Sequence, residues 1–279
     1  VYTTGKVGDF SAEETAIQLD SSLEEDVQEA VLRMILVTEE REIYYYTRIE
    51  RPDELSVKEC LQFAQDFHDK TFDETKAEEL SVYLEPDETS DNTTYQTVNI
   101  HSDIRHISWG KLQPEITGEI EWSIKESNTV YTSVLAKYQV ACKGESSEVE
   151  TYNIKEFFRV RLSEGEMYLL DYNRSMNQVF DGTAKVLDKD GILLGIAPQD
   201  IAYETNKEDT ILAFVQERDL WLYNKEEDTF TQIFSFANKE GYDVRSRNDQ
   251  HAVRIISMEE NGSMIFAVYG YMNQGGHEG

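Results

Sequence analysis

The chain has 279 residues, of which 39% are hydrophobic and 11% aromatic, and its 55 acids against 26 Lys and Arg give a net charge of −29. This length and apolar content support a sizeable core and two or three domains, and they exclude wholesale disorder. The charge repels phosphates and anionic lipid heads, which argues against nucleic-acid binding and against direct docking on a membrane surface; no stretch reaches the roughly 18 apolar residues of a membrane span.

In chain order, Ser22-Leu-Glu-Glu25 is a capping-box pattern. Leu23, Val27, Ala30, Val31, Met34 and Ile35 follow at helical spacing, so a helix is expected over about 22–35, with its β-branched end able to run on as a strand. Glu42 to Ile49, with three consecutive tyrosines, reads as a strand. Ser56-Val-Lys-Glu59 is a second capping box, opening a helix that ends near Lys70, and Leu80 to Leu84 reads as a short strand. The polar stretch Glu85–Thr94 is the best linker or long loop.

From Thr97 the pattern turns to strands at 98–108, 115–124, 129–142, 148–162 and 166–172, with alternating apolar residues such as Val134, Ala136, Tyr138 and Val140. Short strands follow near 184–187, 192–196, 200–204, 210–216, 219–224, 229–236, 252–257 and 264–271, joined by turns such as Asp188-Lys-Asp-Gly191 and Glu259-Glu-Asn-Gly262. The expected fold class is α+β, predominantly antiparallel β. It comprises a small helix-containing N-terminal region (1–96), a curved antiparallel sheet (97–182) and a β-meander resembling an incomplete β-propeller (183–279). Four-stranded units of roughly 40–45 residues are how propeller blades read, and there is room for about two. The chain starts with Val, and its last strand has no returning partner, so it is expected to be a piece of a longer protein.

Candidate chemistry is sparse. His101-Ser-Asp-Ile-Arg-His106 has metal-ligand residue types, but on a strand His106 points away from His101 and Asp103, so no metal site is expected. Asp188-Lys-Asp-Gly191 runs into Ile192-Leu193-Leu194 and lacks the later ligands of a calcium loop. There is no Gly-x-Ser-x-Gly, no phosphate loop and no local base beside Cys60, so no catalytic residue and no cofactor is expected. Cys60 and Cys142 are expected as buried free thiols, a usage that suits a bacterial surface. Trp109, Trp122, Trp221 and Tyr45 are the possible binding aromatics, although such residues also fill sheet cores.

Three strings resemble a poorly characterised group of cell-envelope proteins of Clostridia-like Gram-positive bacteria: Arg161-Leu-Ser-Glu-Gly-Glu-Met-Tyr-Leu-Leu-Asp-Tyr-Asn-Arg-Ser-Met176, Leu212-Ala-Phe-Val-Gln-Glu-Arg-Asp-Leu-Trp221 and Ala267-Val-Tyr-Gly-Tyr-Met-Asn-Gln-Gly-Gly-His-Glu-Gly279. The resemblance covers about residues 155–279. It implies an extracytoplasmic, propeller-like region of a membrane-anchored chain and no assigned activity. A fainter similarity of organisation is to extracytoplasmic regulators of envelope-stress sensor kinases. The expected role is a non-enzymatic interaction or sensory module whose partner is a protein or a cell-wall polymer. The alternatives are a carbohydrate-active enzyme or carbohydrate-binding module with an interdomain site, and a structural spacer.

Overall fold

The computed structural model describes residues 29–37, 41–50, 55–73, 75–87, 90, 92–143, 148–237 and 250–270. The chain forms two compact units, Val1–Leu55 and Ser56–Gly279.

In the first unit, β1 (Glu29–Val37) pairs antiparallel with β2 (Glu42–Glu50), with Val31 opposite Arg48, Arg33 opposite Tyr46 and Ile35 opposite Tyr44. The strand expected over 42–49 is present. The helix expected over 22–35 is not: residues 29–35 are extended, and 22–28 lie outside the described residues. Val31, Ile35 and Val37 are β-branched at χ1 and favour the pleated backbone, and the facing tyrosines supply cross-strand partners.

The second unit opens with α1 (Val57–Thr71), close to the expected span. Ser56 is its N-cap residue but makes no side-chain cap hydrogen bond, so the capping box marks the start without closing it. Residues Ala77–Tyr83 form a 3-10 helix where a strand was expected over 80–84. In that helix Ala77 and Leu80 are buried, a spacing of three that suits 3-10 geometry and not the alternation of a strand. The stretch 85–94 is tied down at both ends: the Glu85 and Asp87 N–H groups donate to the Ile100 and His101 carbonyls, and Asn92 Oδ1 accepts from Asp103 N–H.

A strand expected over 98–108 shrinks to β3 (Thr97–Asn99), followed by α2 (Ile104–Ile107). Asp103 accounts for the difference, because its side chain accepts from His106 N–H and caps the turn. Trp109 and Gly110 then take left-handed φ values of 65° and 53°, which end it. The long strands β4 (Glu115–Ser127), β5 (Thr132–Lys143), β6 (Val149–Ser163) and β7 (Glu166–Gln178) complete a five-stranded antiparallel sheet of order β3-β7-β6-β5-β4. Helix α1 lies on one face of this sheet. Cys60, Ala64 and Phe67 pack there against Val134, Phe158, Val160 and Tyr172, with the Phe67 ring 5.7 Å from Phe158 and 5.0 Å from Tyr172. A fully buried Phe contributes about 1.5–3 kcal/mol by leaving water. The thiols of Cys60 and Cys142 are free and buried, and burial pushes Cys142 up to about 11.

Downstream, β8 (Tyr203–Thr205), β9 (Ile211–Gln216), β10 (Asp219–Asn224) and β11 (Thr229–Phe234) make a four-stranded meander of order β11-β10-β9-β8. β12 (Ala252–Met258) and β13 (Met264–Tyr269) form a separate hairpin. The strands expected at 184–187 and 192–196 are replaced by a loop with one bridge, Leu187 to Ile192, around the Asp188 turn. None of the sheets among the described residues closes on itself. The Phe180 ring packs within about 5 Å of Phe214, Trp221 and Phe230. At Gly182 a Cβ would stand 2.7 Å from Phe230 Cβ, so only glycine lets the chain pass there. The carboxylate of Glu260, in the β12–β13 turn, accepts the N–H groups of Lys207 and Glu208 from the β8–β9 turn, and Asn206 Nδ2 donates to the Glu260 carbonyl at 3.1 Å.

Candidate functional site

The densest polar arrangement lies between α1 and the five-stranded sheet. Glu156 occupies an inward position of β6, between Ile154 and Phe158. Its carboxylate accepts from His68 Nδ1 at 2.6 Å, from the Tyr172 hydroxyl at 2.6 Å and from the Tyr138 hydroxyl at 3.1 Å. Both His68 and Glu156 are 0% exposed. Burial disfavours the carboxylate charge, but His68, the Arg174 cation and the Tyr172 hydrogen bond outweigh it and hold Glu156 below the ordinary carboxylate value. Burial first, then the adjoining carboxylate, raises Tyr138 and Tyr172 well above the usual phenol value, so both remain O–H donors.

Arg174 stands opposite Glu156 in the β6–β7 ladder. Its guanidinium donates to the Ile107 carbonyl at 2.8 Å and the His106 carbonyl at 2.7 Å, and lies 3.5 Å above the Trp109 ring. These are the last carbonyls of α2, where a cation is favoured. Trp109 Nε1 donates to Thr71 Oγ1 at 3.2 Å. The cluster thus ties α1, α2 and three strands together.

A carboxylate orienting a histidine has the form of a base and its orienting group, but reaction needs access. His68 Nε2 is buried with no hydrogen-bond partner among the described residues. The rings of Phe72, Trp122 and Tyr138 wall the imidazole in at 4.9–5.6 Å. The geometry holds α1, α2 and the sheet together, with the imidazole enclosed by rings. A sequence signal for it existed: Glu156 and Arg174 interrupt the inward apolar rows Ile154–Phe158 and Tyr172–Met176, each at a position where a charge needs a partner.

The sequence-predicted binding aromatics are scattered. Trp109 is 1% exposed and belongs to the core, in a left-handed turn where a strand was expected, so it offers no surface platform. Trp122 packs against His68 and Phe158, and Trp221 packs against Phe180. Tyr45 is 41% exposed on β2, in the first unit. His101 Nδ1 meets the Glu85 carbonyl, and His106 Nδ1 meets Asp103. No group of three or more potential metal ligands converges among the described residues.

An open groove of about 770 Å³ lies between the 187–201 loop and the sheet β8–β10. Its floor is apolar, including Ile192, Leu194, Leu212 and Phe214, while Asp188, Asp190, Asp209, Lys189 and Lys225 stand along it. Gln216 Nε2 holds the loop in place by donating to the Leu194 carbonyl at 2.9 Å and the Gln178 carbonyl at 3.0 Å. Asp188 Oδ1 accepts the N–H groups of Asp190 and Gly191, so this carboxylate builds its own turn. Tyr203, at the groove, is 65% exposed.

Fold and site together define an α+β protein, mostly antiparallel β, with several open sheets, a sealed polar cluster and an open apolar groove. Comparison of the chain with protein-family models, curated proteins and solved structures found no match.

Proposed function

We propose that the chain is a non-enzymatic interaction module of an extracytoplasmic, membrane-anchored bacterial envelope protein, and that the groove between the 187–201 loop and β8–β10 receives an extended polypeptide segment with apolar side chains and basic flanks. The supporting observation is the groove itself: an apolar floor open to solvent, with Asp188, Asp190 and Asp209 beside it. Such concave, largely apolar surfaces with a few polar groups are where ligands settle. The net charge of −29 favours a basic partner. The envelope placement rests on the resemblance of residues 155–279, and the four-stranded meander β8–β11 supports the propeller-like reading of this region.

The test is fluorescence anisotropy of labelled synthetic peptides, apolar segments with basic or acidic flanks, against the purified protein. The expected result is saturable binding of the basic-flanked series, lost in Tyr203→Asp. Equal binding of both series, or none, overturns the reading. A carbohydrate-active role has one observation in its favour, the exposed Tyr203 ring beside groove carboxylates. Turnover of a cell-wall glycan by the purified protein, abolished in Asp209→Asn, would establish that role instead.

A further inference from the structure

On the sheet face away from α1, three cations meet in a small recess. Lys137 and Lys155 are direct partners in the β5–β6 ladder, and Ser175 is the partner of Lys155 on β7. The next row holds Gln139, Asn153 and Asn177. The β9–β10 turn, Glu217-Arg218, closes over these rows and completes a recess of about 210 Å³ lined by Lys137, Lys155, Asn153, Ser175, Asn177, Glu217 and Arg218. We propose that this recess binds a small oxyanion group, a phosphate or carboxylate.

Three observations support the assignment. Arg218 Nε is a buried donor with no acceptor among the described residues, a state that calls for a partner. Glu217 and Arg218 hold left-handed φ values of 47° and 71° in a two-residue turn that Asn-Gly would fill without strain. Strained non-glycine residues of this kind mark sites where the side chains are needed. Finally, the volume lies below the ~300 Å³ where drug-sized ligands begin, which suits a single charged group.

One carboxylate faces the recess. Glu217 accepts from Asn153 Nδ2 at 2.8 Å and stands 3.9 Å from the Arg218 guanidinium. Glu121 is the ladder partner of Lys137 from β4. Both lysines also interact with other parts of the chain, so the anion shares their charge and binds weakly.

Isothermal titration and amide chemical-shift mapping with inorganic phosphate and with acetate, at fixed ionic strength in chloride, test the assignment. A short polyphosphate arm distinguishes a polymer-borne group from the free ion. Saturable binding with Kd about 1–10 mM is expected, with shifts at residues 137, 155 and 216–219. Lys155→Gln should weaken it by about tenfold, the loss of one charged hydrogen bond, while Lys185→Gln leaves it unchanged. Arg218→Gly removes the guanidinium but suits the turn, so it should fold at least as well and still lose binding. Preference for polyphosphate assigns a polymer-borne source, and equal affinity per phosphate assigns the free ion. Absence of saturable shifts up to about 50 mM phosphate, well above that Kd, or unchanged affinity in both Lys155→Gln and Arg218→Gly, overturns the proposal.

Discussion

The two larger sheets of the second unit use polar residues in different ways. In the five-stranded sheet the charges Glu156 and Arg174 are turned inward, where Glu156 accepts from His68, Tyr138 and Tyr172 and Arg174 donates to the His106 and Ile107 carbonyls. In the four-stranded sheet the buried polar side chains Gln216 and Asp219 carry no such converging cluster of charges, and an apolar surface is left open between the sheet and the 187–201 loop. A buried charge cluster fixes one arrangement of helix on sheet; an open apolar floor leaves room for something else to complete the packing. The first region is scaffold in character, and the second carries the groove for which a partner is proposed above.

Mutation can break this contrast. Removing one member of a buried charged pair strands the other, a loss of about 3–5 kcal/mol. Glu156→Ala is expected to lower unfolding free energy by that amount in chemical denaturation, while a loss under about 1 kcal/mol, the size of an ordinary net hydrogen bond, would mean that the cluster is not what holds α1 to the sheet. Gly182→Ala drives a methyl into Phe230 and should destabilise by about 1–3 kcal/mol, the range for overpacking, with the four-stranded sheet losing hydrogen-exchange protection before the five-stranded one.

The pH dependence sharpens the same point. Glu156 has its folded-state pKa depressed, so its contribution is whole above the ordinary value of 4.5 and is lost as pH falls through the folded value. The wild type should lose stability on acidification more steeply than Glu156→Gln, as measured by urea midpoints between pH 6 and 3. At the other end, Tyr138 and Tyr172 are raised, so their contribution is whole below the ordinary value of 10.0 and falls away above it. Tyr138→Phe with Tyr172→Phe should flatten the alkaline limb. The smallest effect belongs to Tyr203→Asp, which should change stability by no more than about 0.5 kcal/mol, as exposed substitutions do, while abolishing peptide binding.

Much of this architecture could be read before any coordinates. The alternation Val134, Ala136, Tyr138, Val140 identified β5, and the two-residue periods at 148–162 and 166–172 identified its neighbours, because a sheet with one face on a helix imposes that period; β7 runs on to Gln178. Shorter elements were misread where a single side chain decided the outcome. Asp103 capped a helical turn inside a run that otherwise alternated. Val31 and Ile35 matched helical spacing yet form strand, since the residues that pair with them, Arg48 and Tyr44, lie outside that window. The sealed cluster escaped notice because its parts are far apart in the chain: His68 and Glu156 are 88 residues apart, and no local pattern brings them together. The groove is a product of tertiary packing, formed where the 187–201 loop, which carries no ladder of its own, is hung from Gln216.

Glu260 has a consequence for how the chain is organised beyond any one sheet. By gripping two adjacent amides at the bend between β8 and β9, one carboxylate acts as a latch between consecutive sheet modules. The same residue's backbone carbonyl takes Asn206 Nδ2, and the Phe266 ring of the hairpin stands 6.1 Å from Phe234 of the meander. Neutralising the Glu260 side chain would release the two amides and leave those other fastenings in place.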